Sequence, residues 1–122
     1  MPFNDSYLDH WELAFQPAAH DNGLVIERLD HETFFGDIVS EMRNRISKCL
    51  AVVALLDGGN PNVFLEVGYA WGVGKPTILV LAETSEPPFD VRGQRIVRYG
   101  RIGALKAKLT AELKELGSKG IF

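Results

Sequence analysis

The chain has 122 residues, a length that fits one domain with a single sizeable core, 1–122. Hydrophobic residues make up 46% and charged residues 24%, a globular balance that excludes a disordered chain. The net charge of −3, with no long run of one sign, argues against nucleic acid as the main partner.

Asp5 to His20 reads as a helix, with Trp11, Phe15 and Ala18 recurring at helical spacing. Asn22-Gly23 ends it, the glycine supplying a left-handed cap. Leu24-Val25-Ile26 reads as a short strand, and Asp30 to Thr33 as a polar loop containing His31. Phe34 to Lys48 is a second helix, with Phe35, Ile38, Val39, Met42 and Ile46 on one face. Leu50 to Leu56 (LAVVALL) is wholly apolar, which suits a strand buried on both faces of a parallel sheet. Asp57-Gly58-Gly59-Asn60-Pro61 is a turn into a helix from Asn62 to Val73. Asn60 suits its cap and Pro61 its first position, and Gly74 ends it. Pro76 to Leu81 is the next buried strand. Glu83 to Gly93 is an irregular loop with Pro87-Pro88, Arg95 to Tyr99 a short strand, and Ile102 to Leu116 a closing amphipathic helix.

Helices alternating with apolar strands predict a three-layer α/β domain with an open, mostly parallel sheet. Such a sheet normally begins with a strand, yet this sequence opens directly into a helix. Either the sheet has four strands, or its first strand lies upstream and Met1-Pro2-Phe3 is its tail. Ligands in open parallel sheets bind beyond the carboxyl ends of the strands. The loops expected there are Asp30–Thr33, Asp57–Asn62 and Ala82–Pro88.

The single cysteine, Cys49, cannot form an intrachain disulfide and is expected as a small buried residue. The start MPFNDSYLDH lacks the basic and apolar regions of a signal peptide. No apolar run nears the roughly 18 residues that span a bilayer. A cytoplasmic protein with no membrane partner is the expectation. His10, His20 and His31 have no metal-ligand spacing, and no metal site is expected. Arg92, Arg95, Arg98 and Arg101 form either a local basic patch or four separately solvated charges.

The chemistry concentrates in Asp57 to Ala70. Gly58 and Gly59 let the backbone approach a ligand closely. The helix that follows offers unpaired N–H groups to a phosphate or a ribose hydroxyl. Asn62 and Glu66, four residues apart, project from one face. Glu66 is flanked by Phe64, Leu65 and Val67, and a carboxylate in apolar surroundings carries a desolvation cost. Proteins accept that cost mainly where the group is paired or functional. A carboxylate there can attack, or stabilise, the anomeric carbon of a ribose whose base is leaving. The competing reading is an ordinary exposed helix residue, since glutamate is common in helices. Asp57 likewise suits either sugar hydroxyls or the turn itself.

Val52 to Gly58, followed by Glu66-x-Gly68-Tyr69-Ala70 and Gly74-Lys75-Pro76, resembles the nucleoside 2-deoxyribosyltransferase superfamily. Asn60 to Ala70 (NPNVFLEVGYA) is also similar to bacterial TIR-like nucleotide-binding domains. The resemblance implies a flavodoxin- or TIR-like sheet and N-glycosidic chemistry on a nucleoside, a nucleotide or NAD, with NAD as substrate and no cofactor. It implies Glu66 as the nucleophile or oxocarbenium stabiliser. Asp37 matches an aspartate at the start of the second helix, and Phe3 a residue near the base. The transferases often place an aspartate six residues before the glutamate; that position is Asn60 here, which hydrogen-bonds but cannot act as an anion. The resemblance further implies a homo-oligomer with sites completed across an interface. The alternatives are a non-catalytic nucleotide-binding sensor, or a TIR-like assembly domain using Trp11 and Trp71 as exposed interface aromatics.

Overall fold

The computed structural model describes residues 7–27, 38–59 and 61–120. The chain begins with a helical stretch over 8–21: α1 (Leu8–His10), a π-helical segment (Trp11–Phe15) and α2 (Gln16–Asp21). The π-segment has a local cause. Pro17 has no N–H, and its ring crowds the carbonyl four residues earlier in an α-helix. The helix widens ahead of it, so the Gln16 N–H donates to the Trp11 carbonyl five residues back. Gly23 ends the stretch at φ 70°, in the left-handed region.

Leu24 to Ile26, expected as a strand, is irregular. Val25 is 92% exposed, and no ladder partner lies beside the segment among the described residues. β-Branched residues supply propensity, but pairing and burial make the strand. The later elements overlap those expected, with the strand at Leu50–Leu56 shortened and residues 34–37 of the second helix outside the described residues: α3 (Ile38–Lys48), β1 (Val52–Leu55), α4 (Pro61–Gly72), β2 (Thr77–Ala82), β3 (Arg95–Tyr99) and α5 (Ile102–Ser118).

The three described strands are parallel, in the order β1-β2-β3. Val52 pairs with Thr77 and Leu55 with Val80; Ile78 pairs with Arg95 and Ala82 with Tyr99. Among the described strands only β2 is flanked on both edges, and Thr77 to Leu81 are all buried. Successive side chains go to opposite faces. Leu55, Ile78, Val80, Val97 and Tyr99 meet Phe15 and Ala18 of the first helical stretch. Leu105, Leu109, Leu113 and Leu116 of α5 complete that cluster. On the other face, Ala54, Leu56, Leu79 and Leu81 pack against Val63 and Val67 of α4. Met42 and Ile46 of α3 close over Ala70. The result is three layers, with helices on both faces of the sheet.

Cys49 is half-buried rather than fully buried, and its thiol donates to the Ile46 carbonyl at 3.1 Å. Burial pushes its pKa up. The arginines near β3 form no patch. Arg92 pairs with Asp90 at 2.8 Å and Arg95 with Glu112 at 3.1 Å. Arg98 donates to the carbonyls of Ala82, Glu83 and Ser85, which pins the loop after β2. Among the described residues, no helix is long and apolar enough to cross a membrane.

Leu109 is fully buried between α5 and the sheet. Leu109→Ala should therefore lower stability by about 2–5 kcal/mol. Urea unfolding would show this as a lower midpoint with an unchanged slope. By contrast Leu65, 50% exposed, should tolerate alanine within about 0.5 kcal/mol.

Candidate functional site

At the carboxyl ends of the strands, the Asp57 carboxylate ties all three together. Asp57 follows β1 by two residues and is buried. Its Oδ1 accepts the Ala82 N–H, at the end of β2, at 2.9 Å. Its Oδ2 accepts the hydroxyl of Tyr99, the last residue of β3. The Tyr99 oxygen also lies 2.6 Å from Nε2 of His10. Tyr99 gives its only proton to Asp57, so His10 must donate to Tyr99. That fixes the neutral imidazole as the Nε2–H tautomer. Its Nδ1 is buried and has no hydrogen-bond partner among the described residues. The ring edges of His10 meet Tyr7 and Tyr99 at centroid distances of 5.3 and 5.4 Å. Burial lowers the His10 pKa, against the opposing pull of Asp57 and then Asp9. Burial, reinforced by Asp57, pushes the Tyr99 phenol up.

The glycine turn lies beside this network. Gly58 and Gly59 take φ values of 85° and 63°, where a side chain is strained. A Cβ on Gly58 would sit 2.7 Å from the Tyr7 hydroxyl. The close approach that the sequence suggests for a ligand is made there by Tyr7.

Glu66 lies on the inward face of α4. That face is Val63, Glu66, Val67 and Ala70, an i, i+3, i+4, i+7 set, and Glu66 is only 3% exposed. The ordinary exposed-residue reading of Glu66 is therefore excluded. Its sequence neighbour Leu65 points outward, so the apolar surroundings come from residues a helical turn away. Glu66 joins the lining of a cavity of about 530 Å³ that runs along β1. Trp11, Phe15, Leu24, Arg45, Ile46 and Val53 also line it. Arg45 pairs with Glu41 at 2.9 Å and lies 3.7 Å from Glu27, so one rim is charged and the inner wall is apolar.

The sequence-expected residues separate in space. Glu66 is in the cavity, whereas Asp57, Gly58 and Gly59 are not part of its lining. Asn62 is exposed at the start of α4, so it does not share the buried setting of Glu66. Phe3, Asp37, Asn60 and His31 lie outside the described residues. Trp11 and Trp71, expected as exposed interface aromatics, are both partly buried. Trp11 lines the cavity, and Trp71 packs edge-on against Phe89 at 5.7 Å. Among the described residues, no group of three or more potential metal ligands gathers. His10, Tyr99 and Tyr7 were not singled out by the sequence as site residues. His10 lies four residues before buried Ala14, and a polar residue in step with an apolar face was the available signal.

No protein-family model matches the chain, and no curated protein sequence matches it. Among solved structures it is similar to a CMP N-glycosidase of Clostridium botulinum. The TM-score is 0.62 at 21% identity, over 77% of this chain and 84% of that one. The likeness supports the open α/β fold described above.

The ionisation of His10 gives a sign for pH dependence. Its folded pKa lies below the 6.5 of an unperturbed histidine, so the unfolded chain takes up the proton first as pH falls. The contribution is fully present above about pH 6.5 and is lost as pH falls below it. Melting temperatures between pH 8 and 5 should decline on the acid side, and His10→Gln should flatten that decline. An identical acid slope in the variant would show that other groups cause it.

Proposed function

We propose that the chain cleaves or transfers the N-glycosidic bond of a nucleoside, a nucleotide or NAD, with Glu66 as the reacting carboxylate. The observation that carries this is the burial of Glu66 in the wall of a cavity large enough for a nucleoside-sized ligand. A buried carboxylate is costly to hold, and apolar walls strengthen its attraction to a developing positive charge. The fold shared with a CMP N-glycosidase supports the same reading.

In the reaction, the bond between the anomeric carbon and the base nitrogen breaks. Its electron pair leaves with the base; the base of a nucleoside or nucleotide takes up a proton, which the attacking water or base later gives back, whereas the nicotinamide of NAD leaves neutral without one. The sugar becomes oxocarbenium-like, and the Glu66 carboxylate stabilises it or closes on it as an ester. Water or a second base then attacks the anomeric carbon and releases Glu66 unchanged. Water gives a hydrolase and a base gives a transferase. Phe3, Asp37, Asn60 and Asn62 are the proposed sugar and base contacts, with Gly58 and Gly59 shaping the turn. Asp57, buried and outside the cavity lining, anchors the strand end where that turn begins. The proposal needs no cofactor or metal and takes the working unit as a homo-oligomer in the cytoplasm.

Purified protein should release free base from CMP, other nucleotides, nucleosides or NAD, followed by chromatography. Glu66→Gln should reduce release by at least about 10²-fold with the fold intact. No base from any member of the panel, or an unaffected Gln variant, removes the enzymatic reading. The binding-only alternative predicts no base release but a nucleotide-dependent rise in melting temperature that survives Glu66→Gln.

A further inference from the structure

Asp57, Tyr99 and His10 come from three distant parts of the chain, 42 and 89 residues apart in their two links. The order of donation runs one way. The His10 Nε2–H donates to the Tyr99 oxygen, and the Tyr99 hydroxyl donates to Asp57. Asp57 is thereby held at both oxygens, since the Ala82 N–H takes the other one. Immediately after Asp57 come Gly58 and Gly59, whose N–H groups and left-handed backbone begin the path into α4. The Gly59 N–H bonds back to the Leu56 carbonyl at 3.3 Å, so the turn closes on the residue just before Asp57. α4 in turn carries Glu66.

The network holds one anomaly. Nδ1 of His10 is buried with no partner among the described residues, although buried polar atoms in folded proteins are almost always satisfied. A residue serving only to fill space there need not carry that atom. A side chain that must donate through Nε2 to a tyrosine oxygen has few alternatives. The helix widens one residue later, at Trp11–Phe15, so one helical stretch delivers His10 to Tyr99 and Trp11 to the cavity of Glu66.

We propose that His10 and Tyr99 are positioning residues for the Glu66 site, acting through Asp57 on the Gly58–Gly59 turn that leads into α4. The proposal rests on the N-glycosidic reading for its kinetic consequences, but not for its structural ones. His10 serves in its neutral form. A second proton must enter at Nδ1, which has no acceptor among the described residues; Asp57 and Asp9 draw the ring toward the charged form, burial outweighs them, and the rings of Tyr7 and Tyr99 lie against it. The Nε2–H donor is required, and glutamine can supply a similar one from its amide without titrating.

The experiment compares Tyr99→Phe, His10→Leu and His10→Gln with the wild-type chain. The first readout is hydrogen exchange at the Ala82 and Gly59 amides, which needs no substrate. Tyr99→Phe and His10→Leu should speed exchange at both amides, and His10→Gln should restore slow exchange. The second readout is base release from CMP. The first two variants should lower kcat roughly 10- to 100-fold with a much smaller change in KM, as misplacement of a reacting group does. His10→Gln should rescue kcat at pH 7.5 and lose the acid-side decline in rate that protonation of His10 causes in the wild-type, at a pH lowered from that of a free histidine by burial. Wild-type exchange at both amides in folded Tyr99→Phe overturns the proposal. Equal losses in His10→Leu and His10→Gln also overturn it, because the donor would then not be what matters. A wild-type chain that releases no base removes the N-glycosidic reading alone, and the amide exchange still decides the positioning role.

Discussion

The structure depends on one carboxylate at the end of three parallel strands. In a parallel sheet each strand arrives by a separate crossover, and here the neighbouring carboxyl ends are joined by ladder bonds, Leu56 N–H to the Val80 carbonyl and Glu83 N–H to the Tyr99 carbonyl. Asp57 adds a side-chain tie that reaches all three strands. It accepts the backbone of one neighbouring strand end and the side chain of another, while its own backbone follows the first strand. A buried carboxylate without such donors would be a liability, because an unpaired charge in the interior costs several kcal/mol. With both oxygens engaged, it fixes the level at which all three strands stop, and therefore where the loops above them start.

The layers on either side give this arrangement its stability. β2 is buried through most of its length and carries alternating side chains into two separate clusters. Large aliphatic side chains dominate both, and each fully buried one contributes about 1.5–3 kcal/mol. Glu66 is the exception on the α4 face of the sheet. It occupies a position that the helix period gives to an apolar residue, between Val63 and Ala70. Local rules of patterning are broken there and obeyed around it, which is the usual mark of a site under functional constraint.

The fold was largely legible in the sequence because its signals are short-range. The apolar run at Leu50–Leu56 marks a strand, which spans Val52–Leu55, although Leu50 is exposed and Val52 and Val53 are only half-buried; Pro61 opens a helix, and Gly74 closes it. Arg95–Tyr99 is read with the bounds that the structure gives. Leu24–Ile26 fails because strand formation needs a partner that the residues themselves do not announce. The site divides the same way. The glycine turn and Glu66 are legible because they are contiguous, but the spacing that joins Glu66 to Asn62 left its burial open; its buried companions are Val63, Val67 and Ala70, and Asn62 is exposed. The pairing of His10 with Tyr99 spans 89 residues and has no local pattern. The cavity beside β1 was also hidden, since it arises from what lies next to the strand and not from the loop after it.

The leucines of α5 have a consequence in time as well as in space. They cover the same sheet face as Phe15 and Ala18, from the opposite end of the described chain. On the ribosome, α5 is synthesised after every other described element. Until it emerges, Leu55, Ile78, Val80 and Val97 lack most of their cover, although the sheet that carries them has already been made. A nascent chain in that condition exposes a broad apolar face while translation continues, the kind of surface that chaperones shield and aggregation exploits. The packing of α5 against the first described helical stretch and the sheet therefore cannot begin before α5 has been made.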